Sequence, residues 1–287
     1  MDISFAWWLF AVAVGTSALG GMLGMASGIF IVPVLTIFGH VEMHKAIGAS
    51  IISVIACSCG GAAPFLNSRL TNVRLAIVLE VATTLGALTG VLLAGLIPIP
   101  YLFFLFAVIL FLSAQQMLSK RGAVLSANTG ADCCRWAGAL KLHSTYPDLA
   151  LARDVDYQVR RLPAGMGLMY GAGLISALLG IGSGVLKIPA MDTALRLPIK
   201  VSSATSNFMI GVTAAASAGA YFMRGSVITA IAGPVALGSV IGAVLGARIL
   251  IRLSNEKLRL LFIVVLMILG LQMLLEAFGI HLMGRAA

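Results

Sequence analysis

The chain has 287 residues, of which 60% are hydrophobic and 10% charged, with a net charge of +9. A soluble domain carries about 25% charged residues, so this composition argues against one. Apolar stretches of about 20 residues recur from end to end, each long enough for a hydrocarbon core about 30 Å thick; they predict a polytopic all-α membrane protein, because barrel strands would be alternating segments of about ten residues.

In such a chain the surplus of Lys and Arg marks cytoplasmic loops, not a nucleic-acid footprint. The N-terminus, "MDISFAWWLF", lacks the basic start of a signal peptide, so no cleavage is expected. Trp7 and Trp8 sit where an interfacial aromatic anchor would sit. Residues 5–38 follow as one apolar segment interrupted by "LGMASGIFIVPVL" (23–35), and spans are predicted at 46–66, 73–97 and 101–118. Residues 119–162 hold seven Lys/Arg and are too polar to span; they are expected to form a cytoplasmic loop between two membrane units, 1–118 and 163–287. The second unit opens with another interrupted segment, 164–196, containing "LGIGSGVLKIPAM" (179–191), and continues with spans at 201–222, 227–250 and 258–278.

The two units match. At an offset of 156, Gly15 meets Gly171, Gly24 meets Gly180, Ser27 meets Ser183, Gly28 meets Gly184 and Pro33 meets Pro189. After a slip of one residue, Lys45 meets Lys200, Ser50 aligns with Thr205 and Arg69 meets Arg224; the offset of 156 then returns for Gly86 and Gly90 against Gly242 and Gly246. An offset kept over about 110 residues indicates an internal duplication.

Each interrupted segment is too long for one ordinary crossing and suits two short ones that turn at the Gly-Ser-Gly break. If it crosses once, the repeats are parallel, with eleven Lys/Arg inside and seven outside; if it enters and returns, they are inverted, with fifteen inside and three outside. The positive-inside rule favours the second scheme. The expected architecture is therefore two inverted repeats, N-terminus outside, each a Gly/Pro-broken helical hairpin followed by three transmembrane helices.

Non-helical backbone survives in a bilayer only where protein or a water-filled cavity covers it. Paired interrupted segments in inverted repeats point to a transporter's substrate site, since a half-helix start offers free N–H groups and a positive dipole end to an anion. The predicted breaks are Gly24 and Gly180, with Pro33 and Pro189 at the helix restarts. Ser27, Gly28, Ser183 and Gly184 are the expected backbone and hydroxyl donors. Lys187, a lysine at membrane depth, is expected to supply charge. Ser50, Thr205, Ser206 and Asn207 are expected to line the path, with Asn207 able to bond an oxyanion or a neighbouring helix. Glu80, an acid inside an apolar span, is a candidate for proton coupling or for pairing with a lysine. The Gly86/Gly90 and Gly242/Gly246 pairs are read as helix-packing contacts.

Other chemistry finds little support. Cys57/Cys59 and Cys133/Cys134 lack zinc-ligand spacing and are read as free thiols; no metal or cofactor is expected. The Gly-x-Ser-Gly of the second break would need a base to act as a protease nucleophile, and all four histidines fall in predicted loops or the tail.

The twin motifs, each followed by a Lys/Ala/Ser–Thr-rich span and an Arg turn ("NSRLTNVRLA", "FMRGSVITA"), resemble the TauE/SafE sulfite exporter family. "PIKVSSATSNFMIGVTAAASAGAYFMRG" is particularly similar to the second half of such proteins. The resemblance covers both apolar units and implies transport of small sulfur-containing anions: sulfite, thiosulfate, sulfoacetate or related organosulfonates. The expected function is thus secondary transport of a small anion by alternating access in the inner membrane, with the bilayer and the anion as partners. A passive anion channel and a non-transporting, partner-binding membrane protein are the alternatives.

Overall fold

The computed structural model describes residues 3–25, 27–39, 41–93, 99–119, 138, 140, 142–148, 153–179, 184–223 and 228–278. These residues form α1 (Ile3–Leu23), α2 (Gly28–Ile37), α3 (Met43–Asn67), α4 (Val73–Leu93) and α5 (Ile99–Ser119). They continue with strands β1 (Ser144–Asp148) and β2 (Arg153–Tyr157), and then α6 (Leu162–Leu179), α7 (Gly184–Thr193), α8 (Ile199–Met223), α9 (Thr229–Arg252) and α10 (Asn255–Ala277). Each predicted span is helical over its described residues, and among these residues four helices are long and apolar enough to cross a membrane: Ser4–Leu23, Lys45–Asn67, Val73–Gly90 and Thr229–Arg252. The chain is an all-α membrane protein, with one small β-hairpin among the described residues.

The first interrupted segment divides where its glycines predict. Gly24 takes a left-handed backbone, φ +66, and the Met25 N–H reaches back to the Gly20 carbonyl at 3.0 Å. This is a Schellman-type stop, which satisfies a carbonyl the helix end would orphan. Ser27 then stands at the N-cap of α2. The short helix comes back to the start of the long one: Leu35 is buried with Leu9 and Ala13, and Gly39 abuts Trp8. In the second segment the Arg160 N–H donates to the Leu195 carbonyl at 3.2 Å, so the end of α7 meets the start of α6. Residues 180–183, with Gly180 and Ser183, lie outside the described residues.

The prolines require a correction. Pro33 and Pro189 do not stand at the restarts: α2 and α7 begin five residues earlier, at Gly28 and Gly184, and both prolines lie inside these helices. A proline at the sixth position deletes a backbone hydrogen bond just beyond the first turn. The glycine turns, not the prolines, set the helix starts.

The two units interlock. α1 packs mainly against α9, and α6 against α4, so each unit's first helix lies on the other unit's penultimate helix. The sequence explains the closeness. α9 turns Leu237, Ile241, Leu245 and Ile249 outward and buries Gly238, Gly242, Ala243, Gly246 and Ala247. In lipid, contact is driven by close backbone approach rather than by hiding large apolar side chains. Gly238, Gly242 and Gly246 meet the carbonyls of Phe10, Val14 and Ala18, four residues apart on each helix. Gly86 of α4 meets the Tyr170 carbonyl of α6 in the same way. That contact repeats Gly242 on Val14 at the offset of 156, as the packing reading of these glycines predicts.

Gly242→Ala and Gly86→Ala should therefore each lower the melting temperature of the detergent-solubilised protein, because the new methyl meets backbone that cannot yield. Overpacking costs about 1–3 kcal/mol. Gly15→Ala and Gly171→Ala should be neutral or stabilising, since a Cβ there meets nothing within 4 Å and Ala exceeds Gly in helix propensity by about 1 kcal/mol. Equal melting temperatures for all four variants would contradict the packing account.

The hairpin closes one end of the helical body. β1 and β2 pair antiparallel from Ser144 opposite Tyr157 to Asp148 opposite Arg153. Tyr146 and Tyr157 are buried beneath it. Asn255, at the start of α10, donates to the Tyr146 hydroxyl at 3.2 Å. Asn72 caps α4 by accepting the Leu75 N–H at 3.1 Å, and its amide nitrogen donates to the Leu142 carbonyl and the Tyr157 hydroxyl. Burial pushes the Tyr157 phenol above its ordinary range, partly offset by hydrogen bonds from Asn72 and Ser144. Nearby, Asp192 at the end of α7 is paired with Arg259 of α10 at 3.0 Å, both buried.

Candidate functional site

The candidate residues fall into three groups around α3 and α8, which lie against each other.

The first group surrounds the start of α2. Ser27 is completely buried, and its hydroxyl lies 3.0 Å from that of Ser53 on α3. Ser53 lies 2.6 Å from the Ser239 hydroxyl on α9, and Ser239 reaches the Val235 carbonyl at 2.7 Å. Each hydroxyl has one hydrogen. With that of Ser239 on a carbonyl, Ser53 donates to Ser239 and Ser27 donates to Ser53. Ser27 then presents lone pairs rather than a hydrogen, and the free N–H groups of α2 are the donors of this group. Ser50 closes it, its hydroxyl lying where a Cβ on Gly28 would fall.

The second group lines α8, buried without interruption from Ile199 to Asn207. Thr205 accepts the Asn72 N–H at 3.2 Å, which ties it to the hairpin end. Ser206 donates to the Gly24 carbonyl at 2.8 Å, which fastens the first break to α8. Ser203 approaches Gly24 through its backbone, and Asn207 lies against Gly61 of α3. The Ser203 hydroxyl and the Asn207 amide nitrogen are buried donors that find no hydrogen-bond partner among the described residues. They are four residues apart and so share one face of the helix. A buried polar group left unmade costs about 1–3 kcal/mol, so two on one face beside a helix break mark a place where an acceptor belongs.

The third group holds Lys187. It lies in the first turn of α7, adding positive charge where the helix dipole is already positive. It is fully buried and does not snorkel to an interface. Its ammonium donates to Glu80 Oε2 at 2.9 Å and to the Thr213 hydroxyl at 3.3 Å. Thr213 in turn donates to Glu80 Oε1 at 2.6 Å. The lysine of one unit thus meets the acid of the other. Ile31, one offset from Lys187, sits in an apolar cluster with Val235. A cavity of about 390 Å³ between α4 and α8 leads to Glu80 past Ile77, Val81, Leu85, Phe208, Met209 and Val212.

The structure therefore brings Ser27, Gly28 and Ser50 together, and joins the break at Gly24 to Ser206. It keeps Lys187 with Glu80 and sets Thr205 toward the hairpin. Sequence reasoning did not single out Ser239 or Thr213. Thr213 stands opposite Ser58 at the α3/α8 offset of 155, which is the one signal that pairs them. Cys57 is a buried free thiol and Cys59 an exposed one; Cys133 and Cys134 lie outside the described residues.

A family model described as sulfite exporter TauE/SafE matches residues 9–273. The chain is similar to the probable membrane transporter protein YunE of Bacillus subtilis (strain 168), with 22% identity over 267 residues, covering 90% of this chain and 93% of that protein. It is also similar to the probable membrane transporter protein YdhB of the same organism, with 24% identity over 233 residues, covering 79% and 83%. No solved structure matches.

Proposed function

We propose, from the premise that this chain belongs to the sulfite exporter TauE/SafE family, that it carries a small sulfur-containing oxyanion across the inner membrane by alternating access between two inverted repeats. Members of this family are membrane transporters and not enzymes. The reading rests above all on Ser203 and Asn207 of α8, two donors with no hydrogen-bond partner among the described residues. Ser203 stands beside the break at Gly24, Asn207 lies against Gly61 of α3, and α2 adds free N–H groups beside Ser50. Lys187 supplies the charge, and Ser50 and Ser206 line the route. The matching sequence motif assigns Gly180, Ser183 and Gly184 the role that Gly24, Ser27 and Gly28 have in the first repeat.

The inverted orientation draws support from the way the chain ends gather. The hairpin between the repeats touches Asn72 and Asn255, and Arg160 beside it touches Leu195. These connections are cytoplasmic together only if each broken segment enters and returns.

Binding of sulfite, thiosulfate, sulfoacetate, sulfate and chloride to the purified protein tests the reading. Wild type is expected to bind a sulfur oxyanion. Asn207→Ala should weaken it about ten- to a hundredfold, the range of a hydrogen bond to a charged group at about 1.5–3 kcal/mol. Equal affinity in the variant would remove α8 from the site, and absence of binding by every sulfur anion would remove the substrate class.

A further inference from the structure

The anion site as proposed has one feature it does not use. Lys187 is already neutralised, held by Glu80 across 107 residues of chain. An anion brought to this ammonium would leave a net negative charge in a buried place, which costs several kcal/mol. The charge balances again if Glu80 takes a proton.

The hydroxyl beside the pair is arranged for both states. Thr213 has two acceptors within reach of its single hydrogen: Glu80 Oε1 at 2.6 Å and the Met209 carbonyl, one helical turn back, at 2.9 Å. With Glu80 ionised, the hydrogen points to the carboxylate. With Glu80 protonated, the acid can donate to Thr213 while Thr213 turns to Met209. Neither state leaves a buried hydroxyl unmade.

Resting on the transport reading above, we propose that Glu80 takes up a proton to release Lys187 to the anion, that Thr213 positions the acid in both states, and that one proton therefore travels with each anion.

Among the described residues no other charged group competes. Of the elements packed against α4, α6 brings Tyr170, whose hydroxyl donates to Thr89. α7 brings Lys187 itself and Asp192, which is paired with Arg259. α8 brings Lys200, thirteen residues before Thr213 and so about 20 Å away along the helix. Arg74 on α4 is exposed.

The test uses the full chain in proteoliposomes with thiosulfate and sulfoacetate as probes. Counterflow reports carriage without any driving ion. If neither probe is carried, the transport reading and this coupling fall together; if one is carried with no response to protons, the coupling falls alone. With the membrane potential clamped, a gradient of one pH unit is expected to accumulate the carried anion about tenfold at one proton per anion. Glu80→Gln, which fixes the neutral state, should lose this accumulation and the pH dependence of counterflow. Thr213→Val should shift that pH profile, and Thr213→Ser should restore it.

A readout on the wild type avoids any variant that fails to fold. Dicyclohexylcarbodiimide partitions into the bilayer, fits the apolar route to Glu80 and adds to protonated carboxyls. The carried anion is expected to raise labelling of Glu80 severalfold. Labelling indifferent to that anion, or accumulation that persists in Glu80→Gln, would overturn the proposal.

Discussion

Lys187→Met is expected to destabilise the protein by about 3–5 kcal/mol, the usual cost of stranding one partner of a buried ion pair. Glu80→Gln should cost at least as much, because it strands Lys187, which has no side-chain exposure, whereas Glu80 keeps 12%. The combined variant should recover most of the loss, since two neutral side chains of similar volume leave no charge to solvate. Melting temperatures of the four proteins in one detergent form a complete cycle. A structural pair gives strong non-additivity; additive losses would mean that the 2.9 Å contact contributes little and that Lys187 finds its counter-charge elsewhere. The double variant should still fail to bind a sulfur oxyanion, and comparison with Asn207→Ala separates loss of charge from loss of fold.

Gly24→Ala is expected to be the most damaging single methyl in the first repeat. A left-handed backbone costs an L-residue about 1–2 kcal/mol, and the new Cβ would also fall on the Ser203 carbonyl. Both can be relieved only by moving the break away from α8, which separates Gly24 from Ser206 and displaces the Ser203 donor. Stability and anion affinity should therefore fall together, unlike in Asn207→Ala, where affinity alone should suffer. An affinity preserved in Gly24→Ala protein that remains folded would show that the break does not shape the site.

The first break and the helical spans were legible in the sequence because each depends on local chemistry: the Gly-x-x-Ser-Gly motif, the length of apolar runs and the charge between them. The turn at Gly24 is visible as a glycine, whereas the restart at Gly28 was masked by a proline that looked like a better boundary. Lys187 and Glu80 could be suspected separately, as ionisable groups in apolar spans. Their meeting depends on α4 of one unit reaching the broken hairpin of the other, and no periodicity carries that information. The β-hairpin was read only as a polar loop, since its strands are short and polar and owe their place to Tyr157 docking on Asn72, which caps α4, and Tyr146 docking on Asn255, which opens α10.

The glycine seam between α1 and α9 has a consequence for biosynthesis. α1 ends at Leu23 and its principal partner begins at Thr229, so about 200 residues separate them. At about 5–20 residues per second, α1 enters the membrane roughly 10–40 s before the surface it fits has been made. The carbonyls of Phe10, Val14 and Ala18 are satisfied within their own helix and can wait in lipid, but Ser27 and Ser53, whose chain of hydroxyls ends on Ser239 of α9, lack that acceptor until α9 is made. A nascent chain stopped before α9 should therefore be a ready substrate for membrane quality control, whereas one stopped after Arg252 already holds both halves of the seam.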